Sequence, residues 1–424
     1  MLSFLIVLAF IVLIAIGVPI AFAIGMISIL GIATIDYIPN LTVPMKMLYG
    51  LNSFTLLAVP LFILSANLMN KGNISKKLID FSISLVGHIS GGLAYSNILV
   101  SMIFAGVSGS STADTAGIGK ILIPRMIEDG YDKETSIGVT AASSTIGSII
   151  PPSITMVIFG GLTNASIGAL FLGGIIPGIL VGIVMMVVVF FQSKKRNYPS
   201  YKKTSIKSIA KLFIESLPAL ITPVIIIGGI TTGWYTATEA AAFAAIYSFI
   251  VGKYVYKILK FSDLPEILVD TLKLSSLSLF ALSTASALGE LLGYYNINKI
   301  IQGFFSANFK SQSLFLVVVI IFFLIIGTFM DAIPAMILFV PVILPSALAL
   351  GVSNILLGII VVITLAIGLI TPPYGLCLLI ASSIGDLPVE KSIKAVGPYL
   401  AVILLVLALI VFVPNTVMFL ANLV

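Results

Sequence analysis

Two short polar stretches interrupt an otherwise apolar chain, and each combines hydroxyl side chains with one carboxylate. The first, SGSSTAD, ends at Asp114, and the second, GTFMD, ends at Asp331. A charged side chain costs at least ~2.5 kcal/mol at the centre of a membrane helix, so an acid kept in such surroundings usually serves a function. Each aspartate is therefore a candidate to bind a cation or to orient a substrate hydroxyl. For Asp114, capping of the helix that follows is an equal alternative.

A pair of prolines follows each polar stretch, in IIPPSI and in ITPPYG. Each pair removes two backbone donors and frees carbonyl oxygens one turn earlier, and such oxygens suit a hard cation such as Na⁺. The breaks therefore predict two or more Na⁺ sites. Candidate ligands of the first site are Gly106, Ser108, Gly147, Ile150 and Ser153. Candidate ligands of the second site are Gly327, Thr328, Gly368, Thr371 and Tyr374.

Helices that begin at these breaks present free N–H groups and a partial positive charge, which favour a carboxylate on the substrate. Hydroxyl side chains near the breaks add hydrogen-bond donors. The candidate substrate residues are Ser110, Ser111, Thr112, Asp114, Ser144 and Asp331. Close packing of small residues is the alternative explanation of the first stretch, but the recurrence of the proline pairs favours a binding site. The residues thus predict an anionic solute.

Composition places the chain in a membrane. Its residues are 59% hydrophobic and 9% charged, and the mean hydropathy is +1.21. Soluble domains carry about a quarter charged residues. The apolar runs reach the ~20 residues needed to cross a bilayer, and their period is helical. We therefore expect an all-α polytopic membrane protein.

The same composition excludes several classes of protein. A single histidine, His88, and a single cysteine, Cys377, leave no disulfide framework and no basis for a zinc, haem or iron–sulfur site. The formal charge of +6 does not indicate a nucleic-acid partner, because seven basic residues lie in one loop between residues 194 and 211. That loop is expected on the cytoplasmic side of the bilayer.

The chain contains a hidden repeat at an offset of 221 residues. Five prolines of the first half coincide with prolines of the second, where random placement of the 20 prolines gives roughly 0.45 coincidences. The pairs are Pro44 with Pro265, Pro124 with Pro345, Pro151 with Pro372, Pro152 with Pro373, and Pro177 with Pro398. The chain is therefore interpreted as repeat one, 1–191, a basic loop with a linker helix, 192–236, and repeat two, 237–424.

Equivalent loops of the two repeats have opposite charge bias. After the first span, residues 32–46 hold one lysine, whereas the equivalent residues 253–267 hold three. After the second span the bias is reversed. Because basic loops remain cytoplasmic, the repeats have opposite orientations, which is typical of secondary transporters. The pattern predicts a cytoplasmic N-terminus and a periplasmic C-terminus.

Two segments, 92–127 and 314–349, are too long for one crossing, and each is interrupted midway by a polar stretch. We interpret both as re-entrant helical hairpins, since non-helical backbone at membrane depth requires a protein-lined cavity. The proline pairs break two further helices, 135–160 and 354–382. The other predicted spans are 2–33, kinked near Gly17 and Pro19, then 54–69, 167–191, 213–232, 237–259, 271–290 and 397–423. Lys120, on the returning arm, is expected to snorkel to the interface.

These motifs resemble the large membrane subunit of tripartite ATP-independent periplasmic (TRAP) transporters. The resemblance rests on GVSGSSTADTAGIGKILIPRM followed by ASSTIGSIIPPSI, and on GTFMDAIPAMILFVPVILP followed by IGLITPPYG. It extends over the whole chain. It implies a sodium-driven elevator of the bacterial inner membrane that imports a small carboxylate, such as sialic acid or a four-carbon dicarboxylate. The stretch STADTAG differs from sialic-acid members, so that substrate is not expected.

The resemblance also implies partners and ligands. Such subunits work with a small four-helix membrane subunit, expected here as a separate chain, and with a periplasmic substrate-binding protein. Sodium ligands carry over, mostly as backbone carbonyls, onto Gly106, Gly147, Gly327, Gly368 and Thr371. The substrate pocket carries over onto Ser110, Ser111 and Asp331.

Two other classes of protein are compatible with some of these sequence features. A stand-alone Na⁺-coupled dicarboxylate or anion carrier, or an ion antiporter, has the same inverted architecture and needs no binding protein. A membrane enzyme that uses Asp114 or Asp331 as acid or base predicts turnover, but the chain offers no histidine or cysteine partner at useful spacing. We expect no enzymatic activity.

Overall fold

The computed structural model describes residues 8–10, 12–13, 16–35, 37–39, 41–72, 74–309 and 311–424. Within these ranges the regular elements are helical, and nineteen are α-helices. The first half contains α1 Ile20–Ala33, α2 Thr42–Leu51, α3 Ala58–Lys71, α4 Ile74–Val86, α5 Gly92–Ser108, α6 Ser111–Glu128, α7 Lys133–Ser144, α8 Ile154–Thr163 and α9 Ile167–Arg196. The linker helix is α10 Ile206–Thr231. The second half contains α11 Ala237–Ile250, α12 Leu264–Tyr294, α13 Ile297–Asn308, α14 Gln312–Gly327, α15 Ala332–Ala349, α16 Asn354–Gly368, α17 Leu376–Ile384, α18 Val389–Phe412 and α19 Asn415–Ala421.

Short helical turns of other types adjoin these helices. The 3₁₀ turns are Phe54–Leu57, Thr145–Ser148 and Phe261–Asp263, and Val251–Val255 forms a π-helical turn. Of the described helices, six are long and apolar enough to cross a membrane. They are Phe54–Lys71, Ile167–Arg196, Ile206–Thr231, Phe261–Tyr294, Ala332–Ala349 and Val389–Phe412. The fold is thus an all-α membrane fold.

The repeat is visible in the helix boundaries. Helices α6 and α15 begin and end at positions 221 residues apart, and each follows a hairpin tip. Helices α7 and α8 flank the first proline pair as α16 and α17 flank the second. In both halves the α-helix ends before the proline pair, because the prolines cannot donate to the helical ladder.

The two halves interlock rather than pack as separate units. Helix α1 packs against α12, and their repeat equivalents α11 and α3 pack against each other. In the same way α6 packs against α17, and α15 packs against α8. Each half therefore buries its apolar surface largely against the other half, and large side chains such as Phe104, Phe159 and Phe323 are completely buried between helices.

Both polar stretches form the turns of helical hairpins. Helices α5 and α6 are joined by two residues, Gly109 and Ser110, and Gly109 has a φ of +63°, which favours glycine. The side chain of Ser110 accepts a hydrogen bond from the backbone N–H of Ala113 and so caps α6. Residues 328–331 join α14 to α15, with Asp331 at the N-cap position. The prediction of two hairpins therefore agrees with the helix boundaries.

The first predicted span differs from the structure. The sequence predicted one kinked helix over 2–33, of which residues 2–7, 11, 14 and 15 lie outside the described residues. The chain turns at Gly17, where φ is +86°, and α1 begins after Pro19. Proline fixes φ and lacks an N–H, so it suits a helix start better than a helix interior.

Other predicted boundaries are also displaced. Helix α9 continues to Arg196, beyond the boundary at 191, and α10 begins at Ile206 rather than 213, because Ser205 caps it by accepting from Ser208 N at 3.2 Å. Helix α12 spans Leu264–Tyr294 instead of 271–290, since its proline lies in the first turn, where it is tolerated. The predicted span 237–259 leaves the α-helix after Ile250.

The last predicted span, 397–423, is likewise two elements. Helix α18 begins at Val389 and ends at Phe412, and Pro414 precedes the short α19. Three helices outside the predicted spans were missed: α2, α4 and α13. They have 10, 13 and 12 residues, too few to cross a bilayer, so a search for spans does not find them.

A polar network ties the loop after α9 to the base of α7. Asp132 caps α7 by accepting from Thr135 N at 3.0 Å, and it also pairs with Arg196 and accepts from the hydroxyl of Tyr198. Burial acts to raise the pKa of Asp132, but the hydrogen bonds from Arg196, Tyr198 and Thr135 outweigh burial and hold the pKa well below its usual range. Asp132 therefore stays ionised and anchors the first residues of the basic loop.

Candidate functional site

A cavity of about 970 Å³ lies where the two hairpin tips approach the two helix breaks. The first tip contributes residues 108–113, and the second contributes residues 331–333. The breaks contribute Ser148, Ile154, Thr155, Leu369, Tyr374 and Leu376. Parts of α3 and α12 form the opposite wall. The cavity is thus shared by both repeats and bounded on one side by helices that belong to neither hairpin.

The structure separates the predicted site residues into two groups. Six of them line the cavity: Ser108, Ser110, Ser111, Thr112, Asp331 and Tyr374. The others do not line it: Gly106, Asp114, Ser144, Gly147, Ile150, Ser153, Gly327, Thr328, Gly368 and Thr371. Ser144, a predicted substrate residue, is completely buried and donates its hydroxyl to the carbonyl of Thr140 at 2.7 Å, because the helical turn of α7 brings these groups together.

Asp114 lies behind the first tip, completely buried. Its Oδ1 accepts a hydrogen bond from the hydroxyl of Ser108, and its Oδ2 has no hydrogen-bond partner among the described residues. A carboxylate oxygen left bare in a dry interior requires a proton or a cation beside it. Because Ser110 caps α6, the alternative that Asp114 is the cap is wrong.

Gly147 faces the bare oxygen of Asp114. A Cβ on Gly147 would collide with Oδ2, so only a glycine allows the backbone to approach the carboxylate this closely. Gly147 lies in the 3₁₀ turn Thr145–Ser148, immediately before the first proline pair, where backbone carbonyls leave the helical ladder. The predicted ligand Gly147 and the aspartate are thus brought together by tertiary structure.

Hydrogen bonds join the first tip to the first break. The hydroxyl of Ser111 lies 2.7 Å from that of Ser148, and the N–H of Ile154 donates to the carbonyl of Gly109 at 3.2 Å. Ser153 donates to the carbonyl of Ser148 at 2.6 Å and accepts from Met156 N to cap α8. The tip and the break therefore form one rigid polar unit beside the cavity.

The second tip is joined to the second break by backbone contacts. The N–H of Tyr374 donates to the carbonyl of Thr328 at 2.8 Å. The hydroxyls of Thr328 and Thr371 donate to carbonyls of their own helical turns, Ile325 and Ile367. The repeat equivalent of Asp114 is an alanine, so the second break offers no buried carboxylate at that position.

The backbones of Gly327 and Gly368 touch at this second junction. A Cβ on Gly368 would stand 2.6 Å from the carbonyl oxygen of Gly327, which is closer than such atoms approach. We expect Gly368→Ala to destabilise the purified protein by about 1–3 kcal/mol, the usual cost of overpacking.

Thermal unfolding measures this effect, with Gly397→Ala in α18 as the control. A Cβ on Gly397 meets nothing within 4 Å, and alanine favours a helix interior over glycine, so this variant should unfold at or above the wild-type temperature. Equal unfolding temperatures for the two variants would show that the glycine contact is dispensable.

The sequence by itself did not predict that residues of α3, α6 and α12 line the cavity. These are Asn67, Asn70, Lys120 and Asp270 among the polar ones. Asn67 donates to the hydroxyl of Thr271 at 3.0 Å and so links α3 to α12. The available signal was the presence of two amides three residues apart in a largely apolar helix, which packing alone does not require.

Comparison with known proteins identifies the family. The family model described as "Tripartite ATP-independent periplasmic transporter, DctM component" matches residues 7–416. The sialic acid TRAP transporter large permease protein SiaM of Vibrio cholerae is 37% identical over 89% of this chain and 88% of its own. The C4-dicarboxylate TRAP transporter large permease protein DctM of Pseudomonas aeruginosa is 37% identical, covering 87% and 86%.

One further relative agrees with this, and a solved structure shares the fold. The 2,3-diketo-L-gulonate TRAP transporter large permease protein YiaN of Escherichia coli is 35% identical, with 87% of each chain covered. The YdaH transporter of Alcanivorax borkumensis has a similar fold, with a TM-score of 0.59 at 14% identity and 86% of each chain covered. The SiaM, DctM and YiaN relatives are transporter permeases and not enzymes. This chain belongs to the DctM family, the large membrane component of tripartite ATP-independent periplasmic transporters.

Proposed function

We propose that this protein imports a small organic acid across the bacterial inner membrane, driven by Na⁺, together with a small membrane subunit and a periplasmic substrate-binding protein. The observation that carries the proposal is the shared cavity between two hairpin tips, with a bare buried carboxylate directly behind one of them. Family membership supports the transport role and the two partners.

A carboxylate is the substrate group that suits the first tip. Ser110, Ser111 and Thr112 line the cavity at the N-terminus of α6, where free N–H groups and hydroxyls converge. The relatives named for sialic acid, C4-dicarboxylates and 2,3-diketo-L-gulonate all act on organic acids. An organic acid is therefore the shared substrate class.

A Na⁺ ion bound at Asp114 would account for its unpartnered Oδ2. Asp114 would hold the ion together with carbonyl oxygens of Gly106 and Gly147, and Ser108 would orient the carboxylate. The ion would balance the buried negative charge and couple uptake to the sodium gradient. A second ion would be held at the second junction by carbonyls of Gly327, Gly368 and Thr371, where the repeat equivalent of Asp114 is an alanine.

An elevator movement is supported by the way the helices interlock. The hairpins and broken helices, α5–α8 and α14–α17, pack on one another across the repeats. Helices α1, α3, α11 and α12 form a second interlocked group. Because the cavity lies between these groups, sliding of the first against the second would carry the bound acid across the membrane.

The orientation follows from the charges at the helix ends. Lys71 ends α3, and Lys76 and Lys77 begin α4, so this end of the molecule is assigned to the cytoplasm. The N-terminus is then cytoplasmic and the C-terminus periplasmic. The small four-helix subunit would cover part of the lipid-facing surface.

Uptake by proteoliposomes tests the proposal. Vesicles that hold this chain and its small subunit receive radiolabelled succinate or N-acetylneuraminate, with and without an inward Na⁺ gradient and the binding protein. We expect accumulation of one acid only when both gradient and binding protein are present. Accumulation without the binding protein would favour the stand-alone carrier, and accumulation without Na⁺ would exclude sodium coupling.

A further inference from the structure

Lys120 occupies the cavity wall on the returning arm of the first hairpin. It lies on the same face of α6 as Ala113, Ala116 and Gly117, which also line the cavity. Ten residues separate Lys120 from the tip at Ser110, which corresponds to about 15 Å along the helix. Lys120 therefore lies in the same cavity as the tip but well away from it, and it is exposed.

Lys120 differs in charge from the other ionisable side chains that line the cavity. Among the described residues that line the cavity, the charged side chains are Lys120, Asp270 and Asp331. An organic anion that leaves the tip thus faces a wall with two carboxylates and one ammonium. Within the described parts of the chain, Lys120 forms neither an ion pair nor a hydrogen bond, so its ammonium is available to a ligand.

Asn70 adds a neutral donor near Lys120. Its Oδ1 accepts from the hydroxyl of Ser75 at 3.4 Å and lies 3.6 Å from the place where a Cβ on Gly117 would stand. Gly117 precedes Lys120 by one helical turn, so the two side chains border the same part of the cavity. Among the described residues, none accepts a hydrogen bond from the amide N–H groups of Asn70, so these donors are available to a ligand.

Neighbouring basic residues indicate on which side of the membrane Asn70 and Lys120 lie. Asn70 immediately precedes Lys71, and Ser75 precedes Lys76 and Lys77, the residues that assign this end to the cytoplasm. In the proposed orientation, the tip lies farther from the cytoplasm than this end of the molecule. The amide and the ammonium therefore lie between the tip and the cytoplasm.

We propose that Lys120 and Asn70 form an anion-binding station on the cytoplasmic side of the first tip, which receives the carboxylate of the substrate as it is released. The inference rests on the proposed function and adds a position on the release path. When the carboxylate leaves the N–H groups of the tip, Lys120 offsets the repulsion from Asp270 and Asp331. An oxyanion is the ligand chemistry that these donors select.

The experiment uses the complete system of this chain, its small subunit and the binding protein, with radiolabelled succinate and N-acetylneuraminate as probes. Lys120→Gln should lower the maximal uptake rate about tenfold, because release of the anion is slowed. The half-saturating concentration should fall with the rate and not rise, since release becomes limiting while binding at the tip is untouched. Lys120→Arg should retain the wild-type rate, and Asn70→Asp should lower it, because added negative charge repels the anion.

Lys76→Gln is the matched control, because Lys76 is an exposed lysine on the same side but outside the cavity. A wild-type rate in Lys120→Gln, or an equal loss in Lys120→Arg, would overturn the station while leaving the proposed function intact. If the wild-type system transports neither probe, the proposed function fails and this inference fails with it.

Discussion

Asp114→Ala is expected to reduce Na⁺-driven uptake by at least about 100-fold, which corresponds to a loss of about 2.7 kcal/mol. The physical reason is the bare Oδ2, which lies in a fully buried position beside Gly147 and has no protein donor among the described residues. If this oxygen binds Na⁺, removal of the carboxylate removes the strongest ligand and the charge that holds the ion.

Two neighbouring variants sharpen this prediction. Asp114→Asn keeps the shape but not the charge, and it should be as defective as the alanine variant. Gly147→Ala places a methyl group against Oδ2 and should also impair Na⁺ dependence without removing the carboxylate. Asp386→Asn, in an exposed turn, is the control and should behave as wild type.

Sodium binding can be measured apart from transport. An ion that binds only the folded protein raises its unfolding temperature, so NaCl should stabilise the purified wild type more than KCl does. Asp114→Ala should lose this difference. If Asp114→Asn retains both the Na⁺-dependent stabilisation and full uptake, Asp114 functions as a neutral acid and the sodium site lies elsewhere.

Asp331→Ala is expected to raise the half-saturating concentration of the transported acid by about 10–100-fold, with a smaller effect on the maximal rate. Asp331 lines the cavity and makes no side-chain hydrogen bond to cap the helix that it begins, so its carboxylate is available to a substrate hydroxyl. A hydrogen bond to a charged group contributes about 1.5–3 kcal/mol, which sets the expected range.

The same assay separates the two possible roles of Asp331. If it binds substrate, the Na⁺ concentration for half-maximal uptake should remain at the wild-type value in Asp331→Ala. A shift in the Na⁺ requirement with unchanged affinity for the acid would instead assign Asp331 to the second cation site. Asp386→Asn again serves as the control for loss of a carboxylate.

These predictions assign specific roles to two residues for which the sequence left both cation binding and substrate binding open. Both aspartates end polar stretches in the chain, and both were candidates for cation or substrate. Tertiary structure places Asp114 behind the tip and Asp331 in the cavity wall. Burial relative to a cavity depends on contacts between distant segments, and local sequence does not contain that information.

The sequence by itself determined the class of fold, the two hairpins and the two broken helices. Apolar length, proline pairs and the 221-residue offset are local or periodic features of the sequence. They determine where helices form and break, independently of how the helices pack. Helix starts were less predictable, because caps such as Ser205 and first-turn prolines extend helices beyond their apolar runs.

Only the tertiary structure decided which surfaces meet. Helix α1 packs against α12 and α6 packs against α17, although these helices are far apart in the chain. Gly147 lies against Asp114, and Lys120 shares a cavity wall with residues of distant helices. Such contacts arise from the complementary shapes of whole helices, which hydrophobic periodicity does not encode. The chemistry of the site was thus present in the sequence as residue types, and its geometry came from packing.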